Sequence, residues 1–198
     1  MSTKHSKAAE TFLKNRSLAA WHDETLWMVR AKRDKMSKAV PEWEHLRDMA
    51  CAIKMYSNSH LDQLLVEFEK NAKANGAHVY WAKDAEEYCS IVARILEEHQ
   101  VKHFIKSKSM LAEECGLNEY LEQKGVEVVE SDLGERILQL MHKKPSHIVL
   151  PAIHVKKEEI GELFVKEMGT EPGNNDQTYL THAARKNLRR KFIEPKLP

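Results

Sequence analysis

The chain has 198 residues, of which 42% are hydrophobic and 31% charged, with a formal net charge of +1. That is long enough to bury a core without disulfides or metals, and too apolar for an intrinsically disordered chain. The near-neutral balance speaks against a general nucleic-acid binder, which carries a basic excess. The apolar runs are only a few residues long and Met1–Glu10 is polar, so neither a membrane-spanning helix nor a signal core is expected. A cytoplasmic protein follows as the expectation. Cys51, Cys89 and Cys115 match no zinc, iron–sulfur or disulfide spacing and read as reduced, mostly buried thiols.

Residues 1–75 read as a helical extension. A long polar helix runs from about Ser6 to Lys38. Pro41 opens a second helix, as proline can in a first turn, with Trp43, Leu46, Ala50 and Ile53 on one face. A third begins near Ser59, where Ser59 and Asp62 resemble a capping box. Leu61, Leu64, Leu65, Phe68 and Ala72 form its expected buried stripe, and Asn75-Gly76 ends it.

Residues 76–198 alternate between strand and helix patterns. His78–Ala82, Lys102–Lys106, Val126–Val129 and His147–Leu150 are the predicted strands. Helices are predicted from Asp84, whose Glu87 completes a capping box, over Leu111–Lys124, from Asp132 to Pro145, over Lys156–Met168 and over Gln177–Lys191. This alternation predicts an α/β fold: a three-layer, partly parallel sheet, small and incomplete, behind the helical extension.

In open α/β sheets ligands gather beyond the carboxyl ends of the strands. That rule selects Lys83, the run Lys106-Ser107-Lys108-Ser109, the run Glu130 to Glu135, and the segment from Ser146 and His147 to His154. Hydroxyls between lysines ahead of a helix could hold an anion. The competing reading makes Ser107 and Ser109 helix caps and leaves the lysines solvated. Asp132 and Glu135 already fit a capping box. Glu130 has no such structural role, which makes it the candidate general base or nucleophile. His147 and His154 flank a predicted strand, and extended chain between them would hold them more than ~20 Å apart. His99 and His103 form no HExxH pattern, so no metal ligand is assigned. Arg185, Lys186, Arg189, Arg190 and Lys191 make the last helix basic, which reads first as a solvated face and second as a contact for nucleic acid or an acidic partner. GxGxxG, GxxxxGK[ST] and GxSxG are absent.

The strand-end loops carry a resemblance. Lys106-Ser107-Lys108-Ser109-Met110, Glu114, Leu117-Asn118, Leu121, Gly125 to Glu130, Asp132-Leu133-Gly134-Glu135, Gln139-Leu140, Pro145 to Val149 and Pro151-Ala152-Ile153-His154 together resemble the LUD domain of lactate utilisation proteins. Leu46-Arg47, Ala52-Ile53-Lys54, Leu61-Asp62, Phe68-Glu69, Gly76 to Val79 and Trp81-Ala82 resemble the helical lead-in of its iron–sulfur B branch.

The resemblance implies a NagB/RpiA/CoA-transferase-like fold and a place in a multi-subunit bacterial system that oxidises L-lactate to pyruvate. The chain ends at Pro198, where that family continues with a glycine-rich segment, further strands and CxxCxxCxxxCP motifs. It is therefore expected to be an N-terminal portion that is not itself catalytic. No cofactor is expected in this chain, and 4Fe–4S clusters are expected in the region beyond. Other lactate-utilisation subunits are the expected partners, with self-association through an exposed sheet edge. The alternative is a free-standing enzyme acting on a small anionic metabolite or a CoA ester through Glu130. The ligand or partner candidates are Lys106, Ser107, Lys108, Ser109, Asp132, Glu135, Ser146, His147 and His154.

Overall fold

A computed structural model describes residues 2–193, with side chains from residue 6 onward. The elements are α1 (Ser2–Lys14), α2 (Arg16–Lys38), α3 (Trp43–Ser59), α4 (Leu61–Ala74), α5 (Ala85–Glu98), β1 (His103–Lys106), α6 (Met110–Glu114), α7 (Leu117–Gln123), β2 (Glu127–Glu130), α8 (Leu133–Met141), α9 (Lys157–Met168) and α10 (Gln177–Ile193). They divide into two compact units. Asp23–Trp81 forms one, and the chain up to His22 together with the chain from Ala82 onward forms the other.

The first predicted helix is two. The chain breaks at Asn15, whose side-chain Oδ1 accepts from Leu18 N at 3.1 Å and starts α2. Such a cap satisfies a backbone donor that a continuous helix would have bonded internally. Pro41 lies in the turn before α3, which begins two residues later. The Ser59–Asp62 capping box does not form. Ser59 Oγ instead donates back to Tyr56 O at 2.9 Å, and α4 starts at Leu61. Among the described residues, neither α3 nor α4 buries a side chain. Ile53 is 62% exposed and Phe68 59%. The apolar spacing gave the helices correctly, but a stripe is buried only against a surface that covers it.

In the other unit, β1 and β2 pair in parallel, with His103 opposite Glu127 and Lys106 opposite Glu130. They form a two-stranded sheet. Around it lie helices, so the architecture is a mostly helical, incomplete α/β fold. The predicted strands at His78–Ala82 and His147–Leu150 are not formed: the first is irregular chain and the second a series of bends. Both runs are only a few residues long, and a strand needs a neighbour to take up its backbone groups. Within 146–155 the chain closes on itself instead, Ser146 N bonding Pro151 O at 3.2 Å.

Side chains alternate along β2. Val128 joins Cys89, Ala93 and Leu96 of α5, Ala112 of α6, and Leu117 and Leu121 of α7 in one core cluster. Val129, 1% exposed, points to the opposite face. A second cluster unites Ile137 of α8, Phe164 of α9, and Leu180 and Ala184 of α10. The predicted helix over Leu111–Lys124 is broken at Gly116, whose φ of 69° is a left-handed conformation suited to glycine. Cys89 is buried, Cys115 half-buried and Cys51 exposed, and all three are free thiols. The exposure of Cys51 corrects the expectation of mostly buried cysteines, because it lies on the uncovered α3.

Candidate functional site

The strand register builds the site. Lys106 and Glu130 are the last residues of β1 and β2 and sit opposite each other, so their side chains leave the same face. Glu130 shares that face with Val128, two residues earlier, and so emerges from the edge of the apolar cluster. Both side chains are buried, Lys106 at 8% and Glu130 at 4% residual exposure. Lys106 Nζ lies 2.6 Å from Glu130 Oε1. Asn118 of α7 donates through Nδ2 to the same oxygen at 2.7 Å.

The strand end is fixed from both sides. Ser131 donates through N (3.0 Å) and Oγ (2.9 Å) to Lys106 O. Gln139 of α8 clamps β2: its Nε2 donates to Val128 O at 2.8 Å, and its Oε1 accepts from Glu130 N at 3.2 Å and from Arg136 Nη1 at 2.6 Å. Asp132 caps α8, its Oδ1 accepting from Gly134 N at 3.0 Å and Glu135 N at 3.1 Å. The cap turns the first residues of α8 over the strand ends. Glu135 is thereby buried beside Glu130, at 5% exposure.

Two carboxyls this close in a dry place cannot both ionise freely. Burial first, then the Glu130 carboxylate and a hydrogen bond to it, push the Glu135 carboxyl up to about 7, while Lys106 pulls the other way. Glu113 of α6 is also raised, by burial and by Glu130. These groups border a cavity of about 350 Å³ whose lining includes Glu113, Asn118, Glu130, Glu135 and Gln139 together with His142, Lys143 and Lys144.

The remaining candidates divide. Ser109 is the cap of α6, accepting from Ala112 N at 3.2 Å, which is the cap reading of that residue. Ser107 is exposed. Lys108 Nζ donates to Val149 O at 2.8 Å and ties the loop after β1 to the 146–155 segment. There Ser146 Oγ meets His154 Nδ1 at 2.7 Å. His147 Nδ1 accepts from Val149 N and Leu150 N, both at 3.1 Å, and so shapes the turn. The chain reverses where extended strand was predicted, which corrects the expected wide separation across this segment. His154 is pushed below the ordinary imidazole value, first by burial, then by Lys143 and His22. Lys83 precedes α5 in a bend rather than following a strand, its N donating to Glu87 Oε2 at 2.9 Å.

Structure therefore gathers Lys106, Glu130, Asp132 and Glu135 in one place, and Lys108, Ser146, His147 and His154 in another. Sequence reasoning missed Glu113, Asn118 and Gln139 as site residues. Asn118 stood within the resembling run, and its polar side chain near an apolar helix face was the available signal.

The LUD domain profile matches residues 65–196. The chain belongs to the LUD domain family. It is similar to proteins named lactate utilization protein B. It is 40% identical to that of Bacillus pumilus over 164 residues, covering 82% of this chain and 34% of the relative. It is 38% identical over 166 residues to those of Bacillus thuringiensis and Bacillus cereus, covering 83% of this chain and 35% of each. The chain thus spans about a third of the length of the relatives it matches. No solved structure matches it. The LUD region takes in α5 to α10 and hence the whole Lys106–Glu130–Glu135 group.

Among the described residues, no helix is long and apolar enough to cross a membrane. Nor does any group of three or more His, Cys, Asp or Glu side chains converge so as to hold a metal ion. The cysteines present do not fit an iron–sulfur cluster: the Sγ of buried Cys89 is turned to Cys115 O at 3.4 Å, as a weak donor.

Proposed function

We propose that this chain is the N-terminal LUD portion of an iron–sulfur electron-transfer subunit, in a bacterial system that oxidises L-lactate to pyruvate. One observation carries the reading: identity of 38–40% across more than four fifths of this chain with relatives named lactate utilization protein B. On this reading the LUD portion acts through docking and assembly with the other lactate-utilisation subunits in the cytoplasm. The 4Fe–4S clusters belong to sequence outside these residues.

The alternative, an enzyme using Glu130 on a small anionic metabolite or CoA ester, has less support. Glu130 Oε1 is held by both Lys106 and Asn118, and the residue is 4% exposed. The Lys106 ion pair and the Asn118 hydrogen bond draw charge from the carboxylate and so weaken it as a nucleophile.

The test is genetic and biochemical. Disrupting the gene is expected to abolish growth on L-lactate as sole carbon source. Lactate-dependent reduction of an artificial electron acceptor by extracts is expected to disappear with it. Growth and reduction at wild-type rates would overturn the reading.

A further inference from the structure

The cavity beside the strand ends has a chemical imbalance. Glu130 Oε2, Glu135 Oε1 and Oε2, and Asn118 Oδ1 are four buried acceptor atoms with no N–H donor, against two buried donors nearby that make no hydrogen bond, Lys106 Nζ, which only ion-pairs with Glu130, and Arg136 Nε. The three acceptor residues line the same cavity, and Glu130 and Glu135 are each more than nine-tenths buried. Buried acceptors are satisfied in native proteins, so acceptors concentrated on one wall call for donors from outside the chain. The proton on Glu135, directed to Glu130, satisfies part of this demand and leaves the rest.

The charge balance points the same way. Glu113, Glu130 and Glu135 face Lys106 from β1, Asp132 at the α8 cap and Glu119 and Glu122 in the lining add negative charge, and His142, Lys143 and Lys144 in the same lining, with Arg136 near Glu130, oppose it only in part. The chain itself shows which cation suits this wall, since Glu130 Oε1 already holds the ammonium of Lys106 at 2.6 Å. A bare metal ion suits it less, because no group of three or more carboxylate, histidine or thiol ligands converges here among the described residues. At about 350 Å³ the cavity falls in the range that admits a small organic molecule.

We propose that this cavity binds a small organic ammonium, whose N–H groups donate to Glu135, Glu130 Oε2 and Asn118 Oδ1 while its charge offsets the carboxylates. The assignment is independent of the lactate-utilisation reading. Binding competes with the proton on Glu135, so the two are thermodynamically linked. With the Glu135 carboxyl at about 7, apparent affinity should rise about tenfold from pH 6 to pH 8.

The experiment titrates the full chain, ¹³C-labelled at glutamate, with 1,4-diaminobutane in amine-free buffer at pH 6 and pH 8. Saturable movement of the Glu135 and Glu130 carboxyl resonances is expected, about tenfold tighter at pH 8. Glu135→Gln is expected to weaken binding at least tenfold. Glutamine keeps the side chain's shape, a donor toward Glu130 and the backbone N–H that Asp132 accepts from, so the variant's result reports on the site. Tetramethylammonium has the charge but no N–H donor, and is expected to bind at least tenfold more weakly. Three results would each overturn the proposal: no saturable shift with millimolar diamine, equal binding of tetramethylammonium, or saturation by Mg²⁺ or Ca²⁺ where the diamine fails.

Discussion

Replacing Glu135 by glutamine removes one titrating proton and little else. The carboxyl is 5% exposed and its ordinary value of 4.5 is raised to about 7. In the unfolded chain it ionises near the ordinary value. Between about 4.5 and 7 the folded state therefore holds a proton that the unfolded state has released. Stability from this group is complete below the lower value and is lost as pH rises through the upper one. At about 1.4 kcal/mol per tenfold change, the full separation corresponds to roughly 3 kcal/mol. Water entering the cavity screens the two carboxyls, so about 2 kcal/mol is the expected change between pH 5 and pH 8. Glutamine stays neutral throughout. Glu135→Gln should therefore be nearly neutral at pH 5 and stabilising by about 2 kcal/mol at pH 8. Urea unfolding followed by circular dichroism at both pH values measures this difference directly. A stability difference of the same size and sign at both pH values would refute the argument, because a shape or packing effect does not titrate.

Other perturbations test neighbouring parts of the same reasoning. Lys106→Met removes the buried cation next to Glu130 and should cost about 3–5 kcal/mol in urea unfolding. Adding Glu130→Gln to it should recover much of that loss, since no uncompensated charge then remains. Asp132→Ala deletes a side chain that accepts from two backbone N–H groups and should cost about 1–2 kcal/mol, read as a lower Tm. Phe164, 1% exposed, anchors the α8–α9–α10 cluster, and Phe164→Ala should cost about 3–5 kcal/mol by the same unfolding assay. His154 is disfavoured as a cation, so its ring proton resonances should titrate below pH 6.5, and its contribution to stability should fall away as pH drops through that lowered value. An unshifted ring titration would remove burial and Lys143 as its controlling environment.

Local signals in the sequence were read well where a local interaction decides the structure. Asp84 and Asp132 cap their helices because each side chain reaches an N–H two or three residues on. Gly76, Gly125 and Gly169 end helices at positive φ, where other residues pay a steric cost. Strands depend on distant partners, and there the reading divided. Lys102–Lys106 and Val126–Val129 found each other, displaced by one residue at each end of the pair except Lys106. His78–Ala82 and His147–Leu150 have the same β-like composition but no neighbour within these residues, and their backbone groups went elsewhere. The stripes on α3 and α4 show the same division, since spacing specifies a helix face without specifying what covers it.

The candidate site was legible by elimination more than by motif. Ser109 and Asp132 had a local structural role available, and both use it. Glu130 had none, and it is the residue on which Lys106, Asn118 and Glu135 converge. A carboxylate at the end of a hydrophobic strand, with no cap to make and no solvent to face, has to be compensated by something distant in sequence. Lys106 supplies part of that through the parallel register, which the strand rule could anticipate. Asn118 supplies a hydrogen bond from α7 while Glu113 of α6 adds a further negative charge, and the placement of both depends on the break at Gly116 that divides one predicted helix into two. A continuous helix over Leu111–Lys124 would carry these two residues on a different pair of faces, about 100° of rotation per residue apart. The glycine thus does more than interrupt a helix: it sets which polar side chains meet the strand ends, and through them the charge balance of the cavity.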